Sequence, residues 1–420
     1  MRVPVHAAVD ASVDLAAAAV GERVTGLVNA ILRRVAAHDR DGWNTRLTEG
    51  LSDRDTLVVE HDHPRWIVDA FADALAAADG FDTEPHAAPA QPTSADDGPV
   101  SSSQPSADDG PVSSSQPSAD DGRLSLSKPV SPLTAELSAL LAGDNQPPRP
   151  TLVVRPGLST RDELVAASGG EPTSLSPFGV RADGYPGDLD LIRTGRAGVQ
   201  DEGSQLVAMA LAAVPAPSGP WLDLCAGPGG KSALLQGLAG EQHSWVLAAE
   251  LQHHRAALVA RALRAYPGLP PVITADGTRP AWRDGAFARV LADVPCTGLG
   301  SLRRRPESRW RRTSDVLGEL TALQRTLLHR ALDAACPASP DTPGGVVGYV
   351  TCSPHPAETD EVVAAVLAER DDVTPLDAPA ALGDIAGVRR REIAPGAWSA
   401  QLWPHRHGTD AMYLALLRRS

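Results

Sequence analysis

Apolar residues recur along this chain with two different periods. In the first 80 residues the spacing is helical: Val24, Leu27, Val28, Ile31, Leu32 and Val35 share one face, with Arg33 and Arg34 on the other. The Ala-rich run Ala7–Val20 precedes them, and Pro64-Arg65-Trp66 opens a further helix through Leu75. Proline suits a first turn, where its missing N–H would have had no helical partner. Leu133–Leu141 reads as a short helix and Thr151–Arg155 as a short strand. From Pro220 the pattern changes. Apolar runs of strand length (Trp221–Leu224, Trp245–Ala249, Val272–Thr274, Val290–Ala292, Val346–Val350) alternate with helical stretches (Lys231–Leu238, His254–Ala265, Leu317–Ala335, Glu358–Ala368). Such alternation predicts a parallel sheet with helices on both faces. The last two runs, Ser399–Trp403 and Ala411–Leu417, follow one another across PHRHGTD and predict an antiparallel hairpin closing the sheet.

Between the two patterns lies a repeat, SADDGPVSSSQP, running from Ser94 to Gly122 with a period of 12. It lacks large apolar residues, so burial cannot offset the entropy of ordering it. Residues 82–131 are therefore expected to be a disordered linker; they hold eight acids and two bases, a large part of the net charge of −14. Deleting one period, Ser106–Pro117, should leave the melting temperature and the activity nearly unchanged, since loop length costs little. The chain thus divides into an all-α module (1–81), the linker (82–131), a small α/β connecting region (132–215) and an α/β domain (216–420).

The acidity excludes a uniformly basic nucleic-acid coat but not a local basic groove. Four cysteines in 420 residues exclude a disulfide scaffold and fit a reducing cytoplasm. No CxxC or HxxxH spacing offers zinc ligands, so no metal is expected. No apolar run is long enough to span a membrane.

WLDLCAGPGGKSALL runs strand, glycine turn, helix, with Cys225, Ala226, Gly227, Pro228, Gly229, Gly230 and Lys231 in the turn. It is neither GxGxxG nor GxxxxGK[ST], which weakens dinucleotide and nucleoside-triphosphate readings. Glu250 closes the next strand, Asp276 follows the third and Asp293 ends the fourth. These positions share the carboxyl edge where open α/β sheets bind ligands. An acid-lined pocket suits a cationic, phosphate-free nucleoside such as S-adenosyl-L-methionine better than a dinucleotide. Lys231 is one of only two lysines among 38 basic residues, which suggests a role Arg cannot fill.

Two cysteines follow strand ends beside this turn, Cys296 in DVPCTGLGSLRRRPESRW and Cys352 in YVTCSPHPAETDE. Together with LDLCAGPGGKS, these segments resemble the Sun/RsmB (NOL1/NOP2/Sun) family of RNA cytosine-5 methyltransferases over roughly residues 150–420. VGERVTGLVNAILRRV and HPRWIVDAF resemble part of the NusB-like RNA-binding domain of its ribosomal RNA members. One departure is visible: Glu358-Thr359-Asp360 stands where the family often has Glu-Asn-Glu.

The resemblance implies a Rossmann-like methyltransferase fold and transfer of a methyl group from S-adenosylmethionine to carbon 5 of an unpaired or flipped cytosine, most simply in small-subunit ribosomal RNA. It implies Cys352 as the nucleophile at carbon 6, Asp293 at the N3 edge and Cys296 in the release step. Arg303, Arg304, Arg305 and Arg309, in a cluster with Arg311 and Arg312, are candidates for gripping RNA phosphates and favouring the thiolate. A monomeric, cytoplasmic enzyme is expected. Three other readings stay open: a tRNA cytosine-5 methyltransferase, a DNA-type enzyme using Cys296 as nucleophile, and a non-catalytic RNA-binding assembly factor. The NusB-like resemblance covers only part of that domain, so a coding start upstream of Met1 is also expected.

Overall fold

The computed structural model describes residues 4–79 and 131–420; apart from Ser131, the expected linker at 82–131 lies outside them. The N-terminal part is helical: α1 (Val5–Val20), α2 (Thr25–Val35), α3 (Arg40–Thr48), α4 (Asp53–His61) and α5 (Arg65–Asp79). The pattern of apolar positions did not announce α3 and α4, which are rich in charge. Their starts are set instead by caps, Asp39 accepting from Gly42 N and Ser52 accepting from Asp55 N. The predicted stripe on α2 is present but uncovered, with Leu27, Ile31 and Val35 all more than half exposed.

The helix α6 (Pro132–Asp144) joins this module rather than the next one. Leu137, Leu140 and Leu141 share a core with Ile67, Phe71 and Leu75 of α5. Leu299, Leu302 and Trp403 of the C-terminal domain belong to the same cluster.

Next come β1 (Thr151–Val154), α7 (Arg161–Ser168), β2 (Glu171–Pro172), β3 (Gly179–Arg181), α8 (Asp190–Thr194) and β4 (Ala197–Val199). The four strands form an antiparallel sheet in the order β2-β3-β1-β4.

The C-terminal domain follows α9 (Glu202–Ala213): β5 (Trp221–Asp223), α10 (Gly230–Glu241), β6 (Val246–Glu250), α11 (His253–Leu263), β7 (Val272–Thr274), β8 (Arg289–Asp293), α12 (Ser308–Arg311), α13 (Leu317–Ala334), β9 (Val346–Thr351) and α14 (Asp360–Glu369). It ends with β10 (Val373–Pro375), α15 (Ala378–Ala381), β11 (Arg389–Ala394), β12 (Ala397–Gln401), α16 (Pro404–His407) and β13 (Tyr413–Arg419).

The large sheet runs β11-β12-β13-β9-β8-β5-β6-β7, parallel from β9 to β7 and antiparallel at the other end. This is the predicted Rossmann-like layer arrangement. Its two faces are covered separately, as a period of two requires. Leu291 faces the core with α9 and α10, while its neighbours Val290 and Ala292 face the core with α13 and α14. The predicted hairpin is β12 and β13, with α16 in its connection. Two further strands escaped the sequence reading: β11 extends the edge, and β10 pairs with the last residues of β13.

Strand order reverses between β5, which leads to β6 and β7, and β8, which leads to β9. That reversal opens a crevice beyond the carboxyl ends of β5 and β8, the usual ligand position in such sheets.

Candidate active site

The turn after β5 is shaped by what glycine leaves out. A Cβ on Gly227 would stand 2.2 Å from Glu250 Oε2, and one on Gly229 would stand 2.8 Å from the Ala262 side chain. Gly229 also holds φ at +103°, in the region that disfavours side chains. The turn can therefore lie flat between β6 and α11. Glu250, at the end of β6 and nearly buried, braces it: Oε2 accepts from Gly227 N and Oε1 from Gln252 N, both at 3.0 Å. Each carboxylate oxygen retains capacity for a further donor.

Asp223, at the end of β5, was not singled out by sequence reasoning, although its place in WLDL beside the turn marked it. It is 1% exposed and accepts from Ser232 Oγ at 2.6 Å, which pins the first turn of α10. Burial pushes its carboxyl up to about 7, against the opposing hydrogen bond from Ser232.

Lys231 points across the crevice, and its Nζ donates to Asp293 Oδ2 at 2.8 Å. Burial works against the ammonium, but Asp293 overcomes it and holds the Lys231 pKa above its ordinary value. The Cys225 pKa is raised too, by burial and the surrounding carboxylates, which keeps this thiol neutral in the turn. Asp276 sits beyond β7 and accepts from Thr278 N at 2.9 Å and Thr278 Oγ1 at 2.7 Å; those bonds lower its pKa.

The parallel pairing of β8 with β9 brings together the loops that carry Cys296 and Cys352, residues 56 positions apart in the chain. Their sulfurs lie 3.3 Å apart. The environments differ. The S–H of Cys296 and the charge of Lys231 stabilise a thiolate on Cys352 and lower its pKa, against burial and Asp293. The thiol of Cys296 is raised, because it donates to Cys352, is buried and faces Glu358. Within the pair, charge is favoured on Cys352 over Cys296.

Glu358 was quoted in the sequence only as a departure from a motif. It is fully buried and bridges both cysteine loops. It accepts from Thr297 N at 2.7 Å, from the Thr297 hydroxyl and from Gln324 Nε2 at 3.1 Å. Thr359 donates its hydroxyl to His355 O at 3.0 Å, and Asp360 accepts from Arg389, Arg391, Ser399 and Tyr413, tying α14 to the antiparallel strands.

The arginines of the cluster differ in exposure, and one of them, Arg309, departs from the expected role. Arg309 is 3% exposed and donates to Asp144 O at 2.9 Å and Asn145 Oδ1 at 2.7 Å, fastening α6 to the C-terminal domain; it has no face for a phosphate. Arg303 is bound by Asp201 and Asp410, and Arg304 is paired with Asp410. Arg305 is exposed. Arg312 donates to Cys296 O at 2.7 Å. The cation that acts most on Cys352 is thus Lys231 rather than this cluster.

Among the described residues no helix is long and apolar enough to cross a membrane, and no cluster of His, Cys, Asp or Glu is arranged to hold a metal.

With this geometry in view, the family profile described as 16S rRNA methyltransferase RsmB/F matches residues 208–418, and the NusB family profile matches residues 1–37. A Mycobacterium tuberculosis protein named as a methyltransferase is 40% identical over 428 residues, spanning 100% of this chain and 77% of its own. The ribosomal RNA small subunit methyltransferase B of Sodalis glossinidius is 33% identical over 57% of this chain and 55% of its own. Among solved structures, a methyltransferase homolog protein from Pyrococcus horikoshii superimposes with a TM-score of 0.54 at 22% identity, over 68% of this chain and 92% of its own, and so shares the fold.

Proposed function

Because the chain belongs to the RsmB/F family of 16S rRNA methyltransferases, the Sun family, and is an RNA methyltransferase, we propose that it methylates carbon 5 of a cytosine in small-subunit ribosomal RNA. The observation that carries this reading is the sulfur pair of Cys296 and Cys352 beside the glycine turn, 3.3 Å apart, with the pKa of Cys352 lowered and that of Cys296 raised. The enzyme is read as monomeric and cytoplasmic.

The site fits S-adenosyl-L-methionine. Gly227 and Gly229 let the turn pack directly on Glu250 and Ala262, and the edge carries Asp223, Glu250, Asp276 and Asp293, which oppose a phosphate and suit a cation. Residues Cys225–Lys231, Glu250 and Asp276 would hold it; it supplies an electrophilic methyl group on a sulfonium.

The chain's own residues make the base reactive. Carbon 5 of cytosine is a poor nucleophile until the thiolate of Cys352 adds to carbon 6 and turns the ring into an enamine. Asp293, paired with Lys231 at 2.8 Å, takes the N3 edge of the ring as charge develops there. After methylation, carbon 5 carries both a methyl group and a proton. Cys296 first releases its own proton to solvent and then, as thiolate, takes the carbon 5 proton directly or through a water; the double bond re-forms and Cys352 leaves as thiolate. In the adduct Cys352 is a thioether, so the charge that kept Cys296 protonated is gone. The target base must be unpaired or flipped to admit this attack.

Purified protein, methyl-labelled cofactor and unmodified 16S transcript should yield one labelled cytosine that resists bisulfite conversion. Label found in tRNA alone, or nowhere, would refute the assignment. Glu250→Ala should weaken cofactor binding at least about tenfold in calorimetry, since charge-assisted hydrogen bonds are worth roughly 1.5–3 kcal/mol each. RNA binding without cofactor should be unchanged; unaltered cofactor affinity would place the ribose elsewhere.

A further inference from the structure

A groove of about 530 Å³ opens between the small antiparallel sheet and α11. Arg155, Arg193, Arg261 and Arg264 line it, together with Tyr185 and the turn residue Pro228, and none of its lining residues is acidic.

Arg155 follows β1 and is only 4% exposed. Its Nη1 donates to Gly230 O at 3.2 Å, and its Nε has no partner among the described residues. Arg303 and Arg389, similarly buried, each meet a carboxylate, whereas Arg155 meets none. Arg289 and Arg309, also buried without a carboxylate, are each held by two or more oxygen acceptors, whereas Arg155 has, among the described residues, the single bond to Gly230 O, and an anion in the groove would offset the cost of its buried charge. Burial lowers its pKa to about 10, so it is still charged at neutral pH. Space has been cleared for it: a Cβ on Gly198 would stand 2.4 Å from its Nη2.

The other groove residues divide by commitment. Arg264 donates to Ile192 O at 3.3 Å and to Arg193 O, so it forms a wall. Arg193 has only an exposed pair with Asp190, and surface pairs of that kind contribute little. Arg261 is exposed with no partner among the described residues. Tyr185 is 76% exposed, and its ring lies over Gly187, where a Cβ would stand 2.4 Å from it. An aromatic face held open beside a row of cations is the combination that binds single-stranded nucleic acid.

We propose that this groove takes a phosphodiester of the RNA substrate on Arg155, flanked by Arg193 and Arg261, with an adjoining unpaired base stacked on Tyr185. Pro228 lines both the groove and the glycine turn, so the bound strand passes the outer side of the cofactor site. The inference rests on the chain being an RNA methyltransferase, not on the position it methylates.

The test uses the full chain and a fluorescent single-stranded oligonucleotide of 16S sequence, titrated at several salt concentrations without cofactor. The Arg193→Ala/Arg261→Ala double variant should bind more weakly, and its slope of log affinity against log salt should fall by about 1.4, two contacts at about 0.7 each. Tyr185→Ala should lose at least about fivefold in affinity with the slope unchanged. Arg155→Ala should lose more than either, with Arg155→Lys restoring part and the melting curve reporting folding. RNA binding equal to wild type in the double and Tyr185 variants overturns the groove. So does a loss confined to cofactor affinity in the Arg155 variants, which would give Arg155 to the cofactor's carboxylate. A chain that shows the expected slopes but fails to methylate cytosine upholds the groove and overturns the chemistry.

Discussion

Cys352→Ala is expected to lose methyl transfer by at least about a thousandfold and to form no covalent complex with RNA, as removal of a nucleophile does elsewhere. Cys296→Ala is expected to accumulate a protein–RNA adduct that survives denaturing electrophoresis. The asymmetry follows from the pair's electrostatics. The pKa of Cys352 is lowered because Cys296 donates to it and Lys231 faces it; that of Cys296 is raised because it donates, is buried and faces Glu358. Removing the first sulfur removes attack, whereas removing the second leaves attack intact and blocks release. The reverse outcome, adduct from Cys352→Ala, would give the nucleophile to Cys296 as in DNA-type enzymes. A pH profile checks the same point without RNA. The depressed pKa favours thiolate, so alkylation of Cys352 should rise at a pH below the ordinary thiol value of 9.0. In Cys296→Ala the midpoint should move upward, because the S–H donor is gone. An unmoved midpoint would separate the two sulfurs electrostatically.

Lys231→Met should cost at least about a hundredfold in single-turnover methylation. Its Nζ sits 2.8 Å from Asp293 and also acts on Cys352 and Asp223. Breaking one side of a buried ion pair costs about 3–5 kcal/mol, and 3 kcal/mol of lost transition-state stabilisation is roughly 150-fold in rate. The neighbouring carboxylates would then drive the Cys352 thiol upward, so its alkylation should slow as well. Lys231→Arg should recover little, since a planar guanidinium is not a compact ammonium. A Lys231→Met enzyme within tenfold of wild type would remove the lysine from the reaction.

The parallel sheet was legible because β5, β6, β8 and β9 are buried on both faces and read as continuous apolar runs. The glycine turn and the three strand-end acids Glu250, Asp276 and Asp293 were legible for a related reason: a sheet's carboxyl edge is fixed once its strands are. What escaped depends on contacts between distant residues. Nothing local marks Glu358 as the bridge between two loops, since its donors come from Thr297 and Gln324. The arginine run looked like a phosphate grip because one-dimensional charge density does not reveal Asp201, Asp410 or the end of α6 as partners. Arg155 went unnoticed for the opposite reason. Its significance is a missing partner, and sequence shows only what is present. The caps of α3 and α4 mark a third kind of omission, helices defined by their ends rather than by an apolar face.

Leu75 of α5 and Leu137 of α6 lie in one cluster with Trp403, so the segment between them departs from and returns to the same packed body. The spacing of α5 and α6 is therefore set by their own packing and not by the length of chain between them. Tandem copies of a twelve-residue unit are prone to gain and loss when a gene is copied. With both ends held in one packed body, a change in the length between them is expected to cost only about 0.6 kcal/mol of closure entropy per doubling. The catalytic edge is insulated from that drift, and repeat number is free to vary among close relatives without consequence for the sulfur pair.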